Sequence, residues 1–525
     1  MLFSVVPAST EVAPAQRERA LLIREKWDDR FEFETTFLLV VFDMNGARHD
    51  VGAVKIGQFG MESQRSPALP DDFDSLDERF FSLGQDENYY ETLSQLEGGL
   101  GRRILEGLRD VADEPSLYER ARHEPVMGKS LLRFIREETV LGRFHRLARG
   151  DVRLMGFKFA YTFPRPEGAD TPPLSLSFEV SPRSRPPTNI HALIGRNGVG
   201  KTRCLNSMTR SLVEQRPEAA QVGAFESLEE ERRAGLFANL VSVTFSAFDP
   251  FGPLPEPHAM GYTYVGLKRA PAGAGDGQKL PPKTVDELTD DFVASVGRCR
   301  SGARALRWRR ALETLEADPL FKDEDVTALA RSDADVGEAG RSEGEGAGWR
   351  SRAKRLYERL SAGHKIVLLT LTRLVETVDE RTLVLIDEPE AHLHPPLLAA
   401  FVRSLSDLLM QRNGVAIIAT HSPVVLQEAP RTCVWILQRS GAEVRADRPG
   451  IETFGENVGI LTREVFGLEV THAGFHRLLE EAVAETGGAY EAVLERFGRQ
   501  LGTEARVIAR GLSAESDSAP PEDAA

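Results

Sequence analysis

Eight consecutive residues, Gly195-Arg196-Asn197-Gly198-Val199-Gly200-Lys201-Thr202, have the types and spacing that hold phosphate. Glycines let a backbone curl so that several N–H groups converge on one anion. A helix that starts directly after such a loop points its positive end at the same anion. Lys201 supplies a charge for the β- and γ-phosphates, and the Thr202 hydroxyl is a ligand for Mg²⁺. The candidate nucleotide-binding residues are Gly195, Asn197, Gly198, Gly200, Lys201, Thr202 and Arg203, with ATP and Mg²⁺ as the ligands.

A second constellation is Leu383-Val384-Leu385-Ile386-Asp387-Glu388-Pro389, an apolar strand ending in two acids. Ligands of open α/β sheets gather at that end of the strands. Asp387 is the candidate Mg²⁺ ligand beside Thr202, and Glu388 the residue that orients or deprotonates the attacking water. Upstream lies Leu360-Ser361-Ala362-Gly363-His364-Lys365, before the apolar helix expected from Ile366 to Val375. A helix N-terminus with a hydroxyl cap is a good anion site. Taken alone, the motif reads more simply as an N-cap. Its place between Gly195–Thr202 and Asp387 favours Ser361 and Gly363 as phosphate-binding residues. Thr420-His421-Ser422-Pro423 follows the apolar run Val415 to Ala419, where a lone histidine is usually structural.

These four elements, in this order, resemble the ABC ATPase superfamily, over residues from about 150 to 440. The resemblance implies that Ser361 and Gly363 cap the γ-phosphate held by another subunit. It implies that His421 senses that phosphate and supports the attacking water. The run Glu388-Pro389-Glu390-Ala391-His392-Leu393-His394-Pro395 is closer to the SMC-like and OLD-like ATPases. Transporter ATPases usually carry aspartate where His394 stands, so their D-loop contact is not expected here. The segment Val243 to Pro250 also lacks the Q-loop glutamine, leaving Ser246 or Asp249 as weak candidates for a Mg²⁺ or water contact.

The run Phe454-Gly455-Glu456-Asn457-Val458-Gly459, with Phe466-Gly467, resembles the ending of ATPase subunits in bacterial anti-phage systems such as Septu, which pairs its ATPase with an HNH nuclease. The implied function is a nucleotide-dependent dimer switch, self-associating head to head, that regulates a separate effector, a nuclease, in antiviral defence. A DNA-repair ATPase of RecF or SMC type is the alternative. A transporter subunit is disfavoured by the missing glutamine, and a non-hydrolysing scaffold by the presence of Glu388.

The positioning elements follow from periodicity. Strands are expected at Val152 to Phe163, Leu174 to Val180, Thr188 to Ile194, Leu240 to Phe245, Leu383 to Ile386 and Val415 to Ala419, with a helix from Lys201 to Glu214. Strands alternating with helices give an α/β class. The expected architecture is an ABC/SMC-type ATPase head, with a mixed β-sheet and helices, at 151–455. It carries a partly disordered helical insertion at 249–355, with helices at Val285 to Leu315 and Trp349 to Leu360. An α+β accessory region spans 1–150, a helical segment 456–505 and a flexible tail 506–525, unstructured from Ser513. In the accessory region, Thr36 to Phe42 and Val51 to Ile56 flank Asn45-Gly46, a signal for a tight hairpin.

A formal net charge of -15 argues against a chain that coats nucleic acid over its whole surface. A local patch remains open: Arg298, Arg300, Arg304, Arg307, Arg309 and Arg310 surround Trp308, and Arg350, Arg352, Lys354 and Arg355 follow Trp349. No apolar run is long enough to span a bilayer, so no membrane contact is expected. The 3 cysteines are far apart, without metal-ligand spacing, which fits a reducing cytoplasm.

Overall fold

The computed structural model describes residues 1–7, 17–25, 33–61, 66–133, 135, 137–149, 156–164, 173–182, 184–215, 217–229, 236–245, 251–256, 258–269, 281–300, 303–330, 345–441, 443–467 and 474–518. Its central sheet is built from short runs that are apolar at almost every position. Ile190–Gly195, Thr382–Asp387 and Val415–Thr420 are buried throughout, as parallel strands covered on both faces must be. The strand order is Gly261–Gly266, Asn239–Thr244, Thr382–Asp387, Val415–Thr420, Ile190–Gly195, Val434–Ser440 and Glu443–Asp447. Every neighbouring pair is parallel except the last, which is an antiparallel edge.

Side chains alternate across these strands, so one residue's parity decides which layer it meets. Leu383 and Leu385 face the helix Lys201–Val213, packing with Cys204, Leu205 and Met208. An antiparallel sheet of Ala224–Ser227, Phe157–Thr162 and Ser175–Val180 covers the same layer with Phe157, Phe159 and Phe178. Val384 and Ile386 face the opposite layer, where Ala362–Thr377 and Pro395–Gln411 lie with Trp308 and Phe292. By the same count Asp387 falls on the side of Lys201–Val213.

The helix expected from Val285 to Leu315 is two helices, Val285–Cys299 and Ala303–Leu315. At the end of the first, the Arg300 guanidinium donates to the Leu329 carbonyl at 2.6 Å. Of the basic cluster, Arg300, Arg304, Arg307 and Arg309 are partly buried, while Arg298, Arg310, Arg350, Arg352, Lys354 and Arg355 are exposed. Trp308 is fully buried and donates Nε1–H to Thr372 Oγ1 at 3.1 Å. Arg298 pairs with Glu376, and burial pushes the Arg307 guanidinium down to about 10. These groups brace the helix pair against Ala362–Thr377. Ser246, Asp249, Pro271 to Gly277 and most of the expected disordered stretch, 332–344, lie outside the described residues.

The N-terminal residues form a separate mixed sheet, ordered Asp72–Phe73, Leu2–Val6, Arg19–Arg24, Thr36–Phe42, Arg48–Gln58 and Phe80–Gly84. The helices Glu87–Gln95 and Leu100–Leu108 pack on one face. The hairpin is present but its turn is wider than expected. The last pair is Phe42 with Arg48, and of Asn45-Gly46 only Gly46 takes positive φ, 81°. The Asp43 carboxylate accepts from the N–H of Asn45 at 2.8 Å and of Ala47 at 2.9 Å, which holds the longer loop. At the other terminus, Thr503–Ser518 is a helix packed on Phe475–Glu485 through Ala509, so the tail expected from Ser513 is ordered through Ser518.

Buried ion pairs join the two sheets' layers. Arg412 pairs with Glu87, and Arg146 with Glu380. Arg412 and Glu87 are each 6% exposed, and their other ion-pair contacts are longer, Arg412 with Asp379 at 3.7 Å and Glu87 with Arg143 at 3.9 Å. In Arg412→Met, Glu87 keeps only Arg143 at 3.9 Å. We expect a loss of about 3 kcal/mol in denaturant unfolding, most of it recovered by adding Glu87→Gln. Equal stability of parent and single variant would contradict this.

Candidate functional site

The first strand of the site, Ile190–Gly195, is fully buried and ends at the loop. A Cβ on Gly195 would lie 2.3 Å from the Leu437 carbonyl oxygen, so the loop starts pressed against the neighbouring strand. Gly198 and Gly200 have φ of 81° and 104°, conformations that L side chains rarely adopt. Gly200 is the N-cap of Lys201–Val213, so that helix opens without a side-chain cap. Its first N–H groups are therefore available to an anion.

Lys201 is buried and donates to the Gly195 carbonyl at 3.0 Å and the Arg196 carbonyl at 3.1 Å. Burial lowers the pKa of its ammonium, while Glu388, Asp387 and Glu390 act in the opposite direction. Asp387 and Thr202 line one cleft, together with Thr209, Thr244 and Tyr264. That placement follows from strand parity. A carboxylate and a hydroxyl are the hard oxygen donors that suit Mg²⁺. The residues present therefore fit a nucleotide phosphate with its metal. Asn197 and Arg203 are exposed at the rim.

Glu388 stands just beyond the strand with φ 45° and ψ 58°, left-handed backbone that costs a non-glycine residue of order 1 kcal/mol or more. Its N–H donates to the Ala419 carbonyl at 2.8 Å, which ties the bend to the next strand. The bend brings its carboxylate 3.9 Å from His421 Nδ1. Strain at this position is where a carboxylate must leave the sheet's alternation to face solvent.

Glu390 is the functional residue that reading the sequence left without a role. Its side chain is 8% exposed, and Oε1 lies 3.0 Å from His421 Nδ1. The same oxygen accepts from Thr420 Oγ1 at 2.7 Å and the His421 backbone N–H at 2.6 Å. An acceptor-only carboxylate there fixes the proton of His421 on Nδ1 and leaves Nε2 to face outward. The signal was present in the run Glu388-Pro389-Glu390, where two acids are spaced by a turn-forming proline.

Ser361 is exposed and caps Ala362–Thr377, with its hydroxyl 2.7 Å from His364 Nδ1. A Cβ on Gly363 would lie 2.3 Å from the His392 carbonyl oxygen. The turn of Ser361 to Gly363, the signature turn of the ABC resemblance, thus packs on the same short helix, Pro389–His392, that follows Glu388. Lys201, Thr202, Asp387, Glu388 and His421 gather at the C-terminal ends of the parallel strands. The described contacts of Ser361 and Gly363 run to His364 and His392, and none reaches the phosphate loop. His394 accepts from Leu397 N–H at 3.4 Å as an N-cap, a role aspartate could also fill.

Residues 222–427 match the family model described as an AAA domain, putative AbiEii toxin, type IV toxin–antitoxin system. That span holds Ser361, Gly363, Asp387, Glu388 and His421, and starts after the phosphate loop. Among solved structures, an inward-facing putative metal-chelate type ABC transporter has 15% identity and a TM-score of 0.27, over 61% of this chain and 89% of its own. The ADP conformation of MJ1267, an ATP-binding cassette of an ABC transporter, has 13% identity and a TM-score of 0.29, over 61% and 100%. Likeness at that level transfers no activity. Protein ea59 of Escherichia phage lambda is 40% identical over 529 residues, covering 97% of this chain and 98% of the relative. Over residues 222–427 the chain is similar to an AAA ATPase domain, and by its likeness along nearly the whole length it belongs to the family of protein ea59.

Proposed function

We propose that the chain binds and hydrolyses ATP as a dimer, each nucleotide held by the phosphate loop of one copy and capped by Ser361 and Gly363 of the other. The observation that carries this reading is the exposure of Ser361 at a helix N-terminus whose described contacts do not reach its own loop. A hydroxyl and backbone N–H groups facing solvent suit an anion brought by a second copy.

In this reading Lys201 leaves the Gly195 and Arg196 carbonyls for the phosphates. Thr202 and Asp387 hold Mg²⁺, which neutralises charge on the transferring phosphate. Glu388 accepts a proton from, or orients, the attacking water. His421, held by Glu390 through Nδ1–H, presents the Nε2 lone pair to the attacking water. Closure is favoured because the γ-phosphate contacts Ser361 only in the closed dimer, and hydrolysis removes that preference. Release is then read by a separate effector. We place that effector as a nuclease and the setting as antiviral defence, a reading supported by the Phe454-to-Gly459 resemblance. A phage-borne relative fits exclusion of competing phages as well as host defence.

Lys201→Ala should weaken ATP binding about tenfold to a hundredfold by calorimetry, as loss of a charged contact does. Unchanged affinity would overturn the assignment of the loop. Glu388→Gln should slow turnover by about a thousandfold and retain ATP in a closed dimer, measured by phosphate release and sedimentation. A monomer with parental turnover would contradict the catalytic role. Glu390→Ala should cut turnover about tenfold with ATP affinity unchanged, because His421 loses the acceptor that fixes its ring. A parental rate would show that Glu390 has no part in it.

A further inference from the structure

Behind Ser361 lies a chain of polar side chains that the nucleotide reading does not use. Ser361 Oγ lies 2.7 Å from His364 Nδ1, and His364 Nε2 lies 3.1 Å from Asp318 Oδ1. The other oxygen, Asp318 Oδ2, is 3.2 Å from His394 Nε2. Asp318 and His364 are each 8% exposed. Asp318 comes from the helical insertion, where it also caps Pro319–Asp323 by accepting from Leu320 N–H. Desolvation pushes its carboxyl up, but hydrogen bonds from His364 and the Leu320 backbone outweigh this and leave it below the usual range.

Donor and acceptor accounting separates two readings of this cluster. All its ligand-type atoms lie within 4.8 Å of one another, as a metal site requires. Yet His394 Nδ1 faces the Leu397 N–H, so that nitrogen holds a lone pair and the ring proton is on Nε2. A protonated Nε2 donates to Asp318 and cannot ligate a cation. The cluster is therefore a hydrogen-bonded relay.

We infer that Asp318, acting through His364, sets whether the Ser361 hydroxyl proton is free for the partner copy's γ-phosphate. The inference rests on the dimer reading above. A carboxylate only accepts, so Asp318 keeps a proton on His364 Nε2. When His364 is neutral, Nδ1 is bare and draws in the Ser361 hydroxyl proton. Ser361 then turns lone pairs toward an approaching phosphate. When His364 is an imidazolium, Nδ1–H donates to Ser361 Oγ and the hydroxyl proton points outward. Among the described residues, the titratable groups facing His364 are Asp318 from the insertion and His394 from the turn before Pro395–Gln411, with the Phe321 ring on a further side. Asp318 and His394 are positioning residues, and they make the cap depend on the insertion's seating.

The test is ATP-driven dimerisation of the full chain in a Glu388→Gln background, followed by sedimentation from about pH 6 to about pH 8.5, where histidine titrates. Closure should weaken at least about tenfold as pH rises, as loss of a hydrogen bond to a charged group does. Adding Asp318→Asn should flatten that profile, because the amide oxygen still accepts from Leu320 N–H and from Nε2–H but, being neutral, no longer favours the imidazolium. Asparagine also preserves the helix cap. His364→Gln should flatten it independently, since an amide beside Ser361 does not titrate. An unchanged slope in both variants overturns the relay. Stoichiometric zinc in the purified protein, with its removal abolishing closure, overturns it in favour of a metal site. If Ser361→Ala closes like the parent, the dimer reading itself fails, whereas a Ser361→Ala defect with unchanged slopes sinks the relay alone.

Discussion

The structure depends on one constraint: the strand Thr382–Asp387 is buried on both faces and in register with its neighbours. Asp387 sits opposite Thr244 on one side and Ala419 on the other. Burial fixes that register, since a slip of one residue would turn every apolar side chain to the wrong layer. With the register fixed, Asp387 must face the helix that follows the phosphate loop. The chain can then bend only after it, at Glu388. The metal ligand, the water-activating carboxylate and the histidine one strand away are thus consequences of a packing requirement.

Coupling between parts of the chain runs through short polar connections rather than broad loops. The turn Pro389–His392 touches the histidine through Glu390 and the signature turn through the His392 carbonyl. The insertion reaches the signature through Asp318. The N-terminal unit meets the start of the Asp387 strand through Glu380 and Arg412. Each connection is buried or half-buried, where hydrogen bonds and charges have the most directional effect.

Much of this was legible before any coordinates. The phosphate loop, the acid pair and the parallel strands announce themselves because glycine, lysine and continuous apolar runs have few other uses in that order. The turn geometry was less legible: Asn45-Gly46 suggested a tight hairpin, but the Asp43 carboxylate two residues earlier selected a wider one. Nor did residue type reveal that Trp308, amid its arginines, is fully buried. The run Glu388-Pro389-Glu390 hinted at Glu390 but not at its partner, and Asp318 gave no sign, because their roles come from contacts across 31 and 46 residues of sequence. No periodicity reports such contacts.

The claim that the site is shared between copies is tested most directly by mixing two crippled proteins. Lys201→Ala destroys one half of each site and Ser361→Ala the other half. A heterodimer of the two variants rebuilds one intact site from the loop of one copy and the serine of the other. The account predicts that the mixture hydrolyses ATP well above either variant alone. Activity in the mixture no greater than the average of the separate variants would contradict it.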